Sequence, residues 1–142
     1  MNQKNKILFP ARLSQSISFK GLDIGPKMFP SDVDAVIEYK DIGYIFYEVN
    51  THNAPVSQGQ RIMLQRLAID CSKNGKSAVV LICDNHININ TDEPINLAST
   101  IVREIYIPKE TRWRKPKIKN LETKQATDLF IHYLKKQRSS YK

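Results

Sequence analysis

The stretch that decides the fold runs from residue 30 to residue 60 and reads PSDVDAVIEYKDIGYIFYEVNTHNAPVSQGQ. Residues 33–39 and 44–49 are rich in the β-branched and aromatic side chains that strands favour, and the intervening KDIG is typical of a turn. We therefore predict an antiparallel hairpin. In such a hairpin Asp34, at the start of the first strand, lies beside Glu48, at the end of the second.

Two carboxylates at one end of a hairpin form a candidate metal site. A hard cation such as Mg²⁺ takes oxygen ligands, and like charges brought together are costly unless a cation or another partner offsets them. The alternative is that Asp34 and Glu48 are ordinary solvated residues at the end of a hairpin. The spacing alone favours this alternative.

The second strand is predicted to be central in its sheet. Alternation puts Tyr44, Phe46 and Glu48 on one face and Ile45, Tyr47 and Val49 on the other. Both faces are apolar, which is typical of a strand that is covered on both sides. A carboxylate at the end of such a strand requires a partner.

A helix is predicted after the hairpin, with Ser57 as its N-cap. Its core-facing stripe is formed by residues at spacings of i, i+3, i+4 and i+7, namely Leu64, Leu67, Ala68 and Cys71. Gln60 lies four residues before Leu64 and therefore shares this inner face in the first turn. The alternative is a Gln60 side chain that turns out to water.

The remaining pattern completes an α/β fold. We predict a mixed central β-sheet flanked by helices, in a single domain that spans residues 1–142 and carries a basic C-terminal segment, 109–142. The apolar run 77–83 predicts a buried strand parallel to the second hairpin strand, with Asp84 just past its end. The other predicted elements are a short helix over 13–22, a strand over 101–107 and a helix over 122–137 whose buried stripe is Ala126, Leu129, Phe130 and Tyr133.

The charge of +8 is confined to the C-terminal part of the chain. Residues 1–102 carry 10 Lys and Arg and 10 Asp and Glu, whereas residues 103–142 carry 12 and 4. A basic segment on a neutral body indicates a polyanionic partner, nucleic acid first, and the alternative is a solvated tail.

The stretch 110–120, ETRWRKPKIKN, is predicted to be extended and surrounds the one tryptophan with basic residues. Such a segment can hold phosphates and stack on a base, although the tryptophan can equally fold back on the body. The candidate nucleic-acid residues are Arg61, Arg112, Trp113, Arg114, Lys115, Lys117 and Lys119.

The sequence predicts a cytoplasmic protein with no membrane contact. The first residues lack the apolar core of a secretory signal, and no apolar run approaches the ~20 residues that a membrane span needs. Cys71 and Cys83 fall in a predicted helix and a predicted buried strand, so we expect free thiols in the core.

Residues 29–86 resemble the PD-(D/E)XK nuclease superfamily, and in particular its small stand-alone members from bacteria and phages. In that superfamily an Asp opens one strand, an acid-x-Lys motif closes the next and a Gln begins the following helix. The corresponding stretches here are Pro30–Asp34, Glu48–Asn50 and Gly59–Gln60. The resemblance implies a restriction-endonuclease-like core.

The resemblance also implies a site and an activity. Asp34 and Glu48 would hold Mg²⁺ or Mn²⁺ with help from the Val49 carbonyl, and Gln60 would orient the phosphate or an outer water. Asp32 is the alternative first acid. The implied activity is metal-dependent hydrolysis of phosphodiester bonds in DNA, with RNA as the alternative substrate, and a homodimer or a larger complex is a possible assembly.

The sequence departs from the superfamily's pattern at Asn50, which stands where the motif has Lys. An amide neither supplies positive charge nor donates a proton as an ammonium does. Some restriction enzymes that resemble this superfamily function with Gln or Glu at this position. A Lys or Arg elsewhere is a further alternative, and Arg61 is the nearest in sequence. The alternative function is a weakened or inactive nuclease-like domain that binds nucleic acid or a protein partner.

Overall fold

The computed structural model describes residues 17–26, 28, 30–52, 54–86 and 94–140. It divides the chain into two units, 1–32 and 33–142. In the first unit the N–H of Leu22 donates to the Phe19 carbonyl (3.1 Å), and Gly21 and Gly25 take φ values of 87° and 76°. The predicted helix over 13–22 is therefore wrong in its part 17–22, because turns at these glycines replace it, and residues 13–16 lie outside the described residues.

The second unit is an α/β fold with a five-stranded mixed sheet between two helices, as predicted. The strand order is β1-β2-β3-β4-β5; β2 and β3 are parallel and the other neighbours are antiparallel. The elements in chain order are β1 (Ala35–Tyr39), β2 (Gly43–Thr51), α1 (Gln58–Cys71), β3 (Ser77–Asn85), β4 (Ile101–Ile107), β5 (Arg112–Arg114) and α2 (Thr123–Ser140).

The predicted hairpin is confirmed. Ala35 pairs with Tyr47, and Lys40 and Asp41 take positive φ values of 46° and 61° in the turn, as tight hairpin turns require. The Asp41 N–H donates to the Glu38 carboxylate at 2.6 Å, which fastens the turn. The central position of β2 is also confirmed, because it lies between β1 and β3 with both faces covered.

The two faces of the sheet carry different helices. Phe46 and Val80 point to the face on which α1 packs with Leu64 and Ala68. Their neighbours along the strands, such as Tyr47 and Leu81, point to the opposite face, on which α2 packs with a second set of apolar residues. Glu48 follows Phe46 by two residues and therefore belongs to the α1 face.

The buried face of α2 differs from the predicted one. Leu129 and Tyr133 are 52% and 42% exposed, whereas Leu134 is 1% exposed. The Thr123 hydroxyl lies 2.7 Å from the Thr100 hydroxyl, and this buried contact fixes the start and rotation of the helix. The core-facing stripe is Thr123, Ala126, Phe130 and Leu134.

Two features of the central strands were not predicted. β3 continues beyond Cys83, so that Asp84 is inside the strand, paired with Asn50 of β2. β4 contains a bulge: Glu104 pairs with Ile82 and Val102 pairs with Cys83, which leaves Arg103 without a counterpart on β3. Bulges of this kind bend the strand and re-aim a side chain.

Among the helices of the described ranges, none combines the length and the apolar character needed to cross a membrane.

Candidate functional site

Asp34 and Glu48 lie at the same end of the hairpin, while their sharing of a cation stays a prediction. Asp34 lies in a bend directly before β1, and Glu48 directly follows Tyr47, the β2 partner of Ala35. Asp34 is exposed and its Oδ2 accepts the N–H of Val49 at 2.7 Å. Glu48 is only 6% exposed. One carboxylate thus borders solvent and the other lies in the sheet.

Val49 adds a third oxygen at this end of the hairpin. Its N–H is directed towards Asp34, and the N–H and C=O of one strand residue point to the same neighbour. The Val49 carbonyl therefore points towards the β1 side, beyond Ala35, where β1 begins.

These donors fit Mg²⁺ chemically, although they do not form a complete protein cage. No group of three or more His, Cys, Asp or Glu side chains that could hold a metal is present in the parts of the chain that the structure describes. Magnesium is commonly bound through one or two carboxylates and keeps several waters, with substrate phosphates supplying further oxygens. Asp34, Glu48 and the Val49 carbonyl would hold it in this way.

Gln60 is placed on the inner face of α1. Ser57 is the N-cap, as predicted, and its hydroxyl accepts the Gln60 N–H at 3.2 Å. The Gln60 side chain is half-buried and lies one turn before the buried Leu64. The position of Gln60 on the helix is therefore the predicted one, while the role of its amide stays a prediction.

Asn50 closes the loop that follows β2. Its Nδ2 donates to the Ala54 carbonyl at 2.6 Å. The amide serves the loop that leads into α1 and carries no charge to offer a substrate.

Arg61 and Trp113 pack against each other. The Arg61 guanidinium forms an ion pair with Glu104 and lies 5.0 Å from the centroid of the Trp113 ring. The other neighbour of that ring is Tyr106, at 5.3 Å between centroids. The tryptophan therefore contributes to the α1 layer, in agreement with the packing alternative, while its stacking on a base stays a prediction.

The basic segment reaches the same end of the sheet as Glu48. Because β5 is antiparallel to β4, it runs in the direction of β3, and the residues after it emerge where β2 and β3 end. Lys115 and Lys119 line a cavity of about 570 Å³ at this end together with Asn50, Arg61 and Arg103. We call it the terminal cleft.

The other predicted nucleic-acid residues are placed elsewhere. Arg114 pairs with Glu110 at 2.8 Å and lines a separate, largely apolar cavity of about 580 Å³, as does Lys117. Arg112 is exposed on β5. The structure therefore brings only part of the predicted basic set to the terminal cleft.

Asp84 is a buried acid at the terminal cleft to which the sequence analysis gave no role. It is 2% exposed and its Oδ2 accepts a hydrogen bond from Arg103 Nη2 at 3.1 Å. The signal was in the strand pattern, because Val80, Ile82 and Asp84 alternate onto one face. That face is the one to which Glu48 belongs.

Both cysteines are free, as predicted, and Cys83 is fully buried on the α2 face. Burial raises the pKa of the Cys83 thiol, and the negative charges of Asp34 and Glu48 raise it further, although hydrogen bonding with Thr123 and Thr100 opposes the change. Because the thiolate is disfavoured here, the structure gives Cys83 a packing role.

Comparison of the chain with protein-family models, with curated protein sequences and with solved structures finds no match.

Proposed function

We propose that this protein hydrolyses phosphodiester bonds in nucleic acid, DNA foremost, in a divalent-metal-dependent reaction at the open end of the hairpin. The observation that carries the proposal is that Asp34, whose Oδ2 accepts the N–H of Val49 directly after Glu48, lies at the end of β2, where Asn50 borders the terminal cleft and its cations. Acidic metal ligands next to phosphate-binding cations are what this reaction requires.

The order of the elements supports a restriction-endonuclease-like core. A hairpin that carries both acids is followed by α1, which crosses to a strand parallel to the second hairpin strand. This is the order on which the resemblance to the PD-(D/E)XK superfamily rests. Because one fold serves many functions, the proposal depends on the site as well as on the order.

Each residue has a distinct role in the proposed reaction. Bound Mg²⁺ would lower the pKa of a water molecule and neutralise charge on the phosphate. Asp34 and Glu48 supply carboxylate oxygens, and the hydrogen bond from Val49 holds Asp34 in place. Gln60 orients the phosphate or an outer water.

The terminal cleft supplies the contacts to the nucleic-acid backbone. Lys115 and Lys119 are exposed and follow a strand that fixes where they emerge. Lysines of this kind bind phosphates without regard to sequence. They would lead one strand of the nucleic acid towards Glu48.

A second candidate function is nucleic-acid binding without cleavage. The observation that favours it is the hydrogen bond of Asn50 to the Ala54 carbonyl, because the residue at the motif's Lys position is occupied in closing a loop. The terminal cleft would serve binding in either case.

The test compares Glu48→Gln with Glu38→Gln, which makes the same change at the other end of the same hairpin. Cleavage of DNA and RNA oligonucleotides is measured in Mg²⁺ and Mn²⁺, with oligonucleotide binding measured in parallel. We expect Glu48→Gln to lower the cleavage rate at least about 100-fold, because the substitution removes a carboxylate ligand of the metal ion. The metal ion would stabilise the charge of the transition state by several kcal/mol. Glu38→Gln should cleave at the wild-type rate.

Each other outcome selects a different conclusion. Equal cleavage by the two variants would contradict the assignment of Glu48. Binding by the wild type without cleavage of any substrate would support the second candidate function. If the wild type neither binds nor cleaves any of the oligonucleotides, both candidate functions are overturned.

A further inference from the structure

We propose that Arg103 supplies, at the substrate phosphate, the positive charge that position 50 lacks. This inference rests on the proposed function and adds a phosphate-contacting residue to it. It follows from three observations on the described residues: a bulge, a buried ion-pair partner and the lining of the terminal cleft.

The bulge in β4 explains how Arg103 reaches the α1 face. Its flanking residues, Val102 and Glu104, pair with consecutive residues of β3, so Arg103 is the extra residue of the bulge. Bulges re-aim side chains and are over-represented next to active sites. The Arg103 side chain is turned towards β3, where its Nη2 donates to Asp84 Oδ2 at 3.1 Å.

Asp84 fixes the guanidinium next to position 50. Asp84 belongs to β3. Its side chain is only 3% exposed, so its carboxylate faces the protein and not water. Asn50 is its direct partner in the parallel ladder, and neighbouring strands are about 4.8 Å apart. Glu48 lies two residues back along β2, a rise of roughly 7 Å. The positive guanidinium of Arg103, bound to Asp84, thus lies beside the position where the motif has Lys.

Arg103 remains open to a ligand. Its side chain is 44% exposed, and it lines the terminal cleft together with Asn50 and Asp84. A guanidinium has five N–H donors in a planar fork, so an arginine that gives a hydrogen bond to a carboxylate still has donors for a phosphate.

The other cations of the terminal cleft fit this role less well. Arg61 is occupied by Glu104 and by the face of Trp113. Lys115 and Lys119 lie in the exposed segment after β5, with no ion pair among the described residues to fix them. Arg103 alone combines a place in a central strand with a buried acid that orients it.

The chemistry available to Arg103 is electrostatic. A guanidinium stays protonated at all ordinary pH values, so it takes no proton from the attacking water. It can donate to the non-bridging phosphate oxygens and stabilise the charge that develops on them.

The experiment uses the full chain in four forms besides the wild type: Arg103→Gln, Asn50→Lys, the double variant and Arg66→Gln. Arg66 is an exposed arginine of α1 and provides the matched control. Cleavage of a DNA duplex in Mg²⁺ is measured, and duplex binding without metal is measured from low to high salt. Thermal unfolding reports on structural damage.

We expect Arg103→Gln to lower the cleavage rate by about 10²–10³-fold, as loss of one preorganised donor does elsewhere. The slope of log K against log salt should fall by about 0.9, the equivalent of one phosphate contact. Adding Asn50→Lys should restore at least tenfold of the lost rate, which a purely structural role of Arg103 would not allow. Arg66→Gln should match the wild type.

The results separate this inference from the proposed function. If the wild type cleaves the duplex and Arg103→Gln cleaves it at the same rate, the role of Arg103 is overturned but the proposed function is not. A loss of rate that Asn50→Lys does not restore, with a lower unfolding temperature and an unchanged salt slope, would assign Arg103 a structural role and also overturn it. Absence of cleavage by the wild type would overturn the proposed function and this inference together.

Discussion

Cys83 and Glu48 belong to adjacent strands and point to opposite faces of the sheet. The thiol is fully buried, and its raised pKa means that the folded protein holds the protonated form more tightly than the unfolded chain does. This protonation contributes stability that is fully present below the ordinary thiol pKa of 9.0 and is lost as the pH rises above it.

We therefore predict that the free energy of unfolding falls as the pH rises above 9.0 and that Cys83→Ala reduces this fall. Urea unfolding at several pH values measures it, and the comparison is of slopes with pH, since the substitution also leaves a cavity. Burial raises the pKa of Tyr47 above its ordinary value of 10.0, so this residue contributes little to the fall below pH 9.5. An unchanged slope in Cys83→Ala would refute the assignment.

The sequence predicts the acids of the candidate site better than it predicts Arg103, whose positive charge complements them. Asp34, Glu48 and Gln60 follow from strand alternation, turn residues and helix spacing, which are local patterns. Arg103 does not, because regular alternation of β4 gives no sign of an extra residue. The position of Arg103 depends on the pairing of β4 with β3. The register between two strands that are distant in sequence cannot be predicted from the pattern of either strand alone.

Among the elements, α2 shows the same limit. Its existence and length follow from the sequence, but its buried face is set by the contact between Thr100 and Thr123, which lie 23 residues apart. Leu129 and Tyr133 suit a buried stripe by spacing, and yet they border the apolar cavity on that side of the sheet. The rotation of a helix is a tertiary property once a polar contact fixes its first turn.

The close approach of α2 to the sheet depends on Gly43. A Cβ at this position would lie 2.5 Å from Leu134 Cδ1, so the buried Leu134 side chain would have to shift within the core. We predict that Gly43→Ala lowers the free energy of unfolding by about 1–3 kcal/mol, the usual cost of overpacking. Chemical denaturation measures this cost.

The matched control is Gly59→Ala in α1, where an added Cβ meets nothing within 4 Å. This change should leave stability unchanged or raise it by about 0.5–1 kcal/mol, because alanine favours the helix. If Gly43→Ala were as stable as Gly59→Ala, α2 would not be packed as closely as described.

At the level of the protein, the lysines of the basic segment after β5 are divided between two cavities of similar volume. Lys115 and Lys119 border the one that adjoins Asn50, and Lys117 borders the other. The sequence predicted a basic segment but not this division, since the direction in which each lysine leaves the chain depends on β5.

We predict that Lys115→Gln with Lys119→Gln lowers the slope of log K against log salt for duplex binding by about 1.8, the equivalent of two phosphates. The control is Lys73→Gln with Lys124→Gln, which removes the same charge from surface ion pairs with Asp70 and Asp128. Fluorescence anisotropy titrations give both slopes. Equal slopes in the two double variants would mean that net charge, and not the terminal cleft, determines binding.

The bulge in β4 also has a consequence for the order in which the protein is made. Asp34 and Glu48 belong to one hairpin and can meet as soon as residues 34–48 have left the ribosome, because local contacts form early. Arg103 is translated much later and reaches Asp84 only when β4 pairs with β3. A nascent chain therefore contains Asp34 and Glu48 long before Arg103. The complete charge arrangement exists only in a molecule in which β4 has paired with β3.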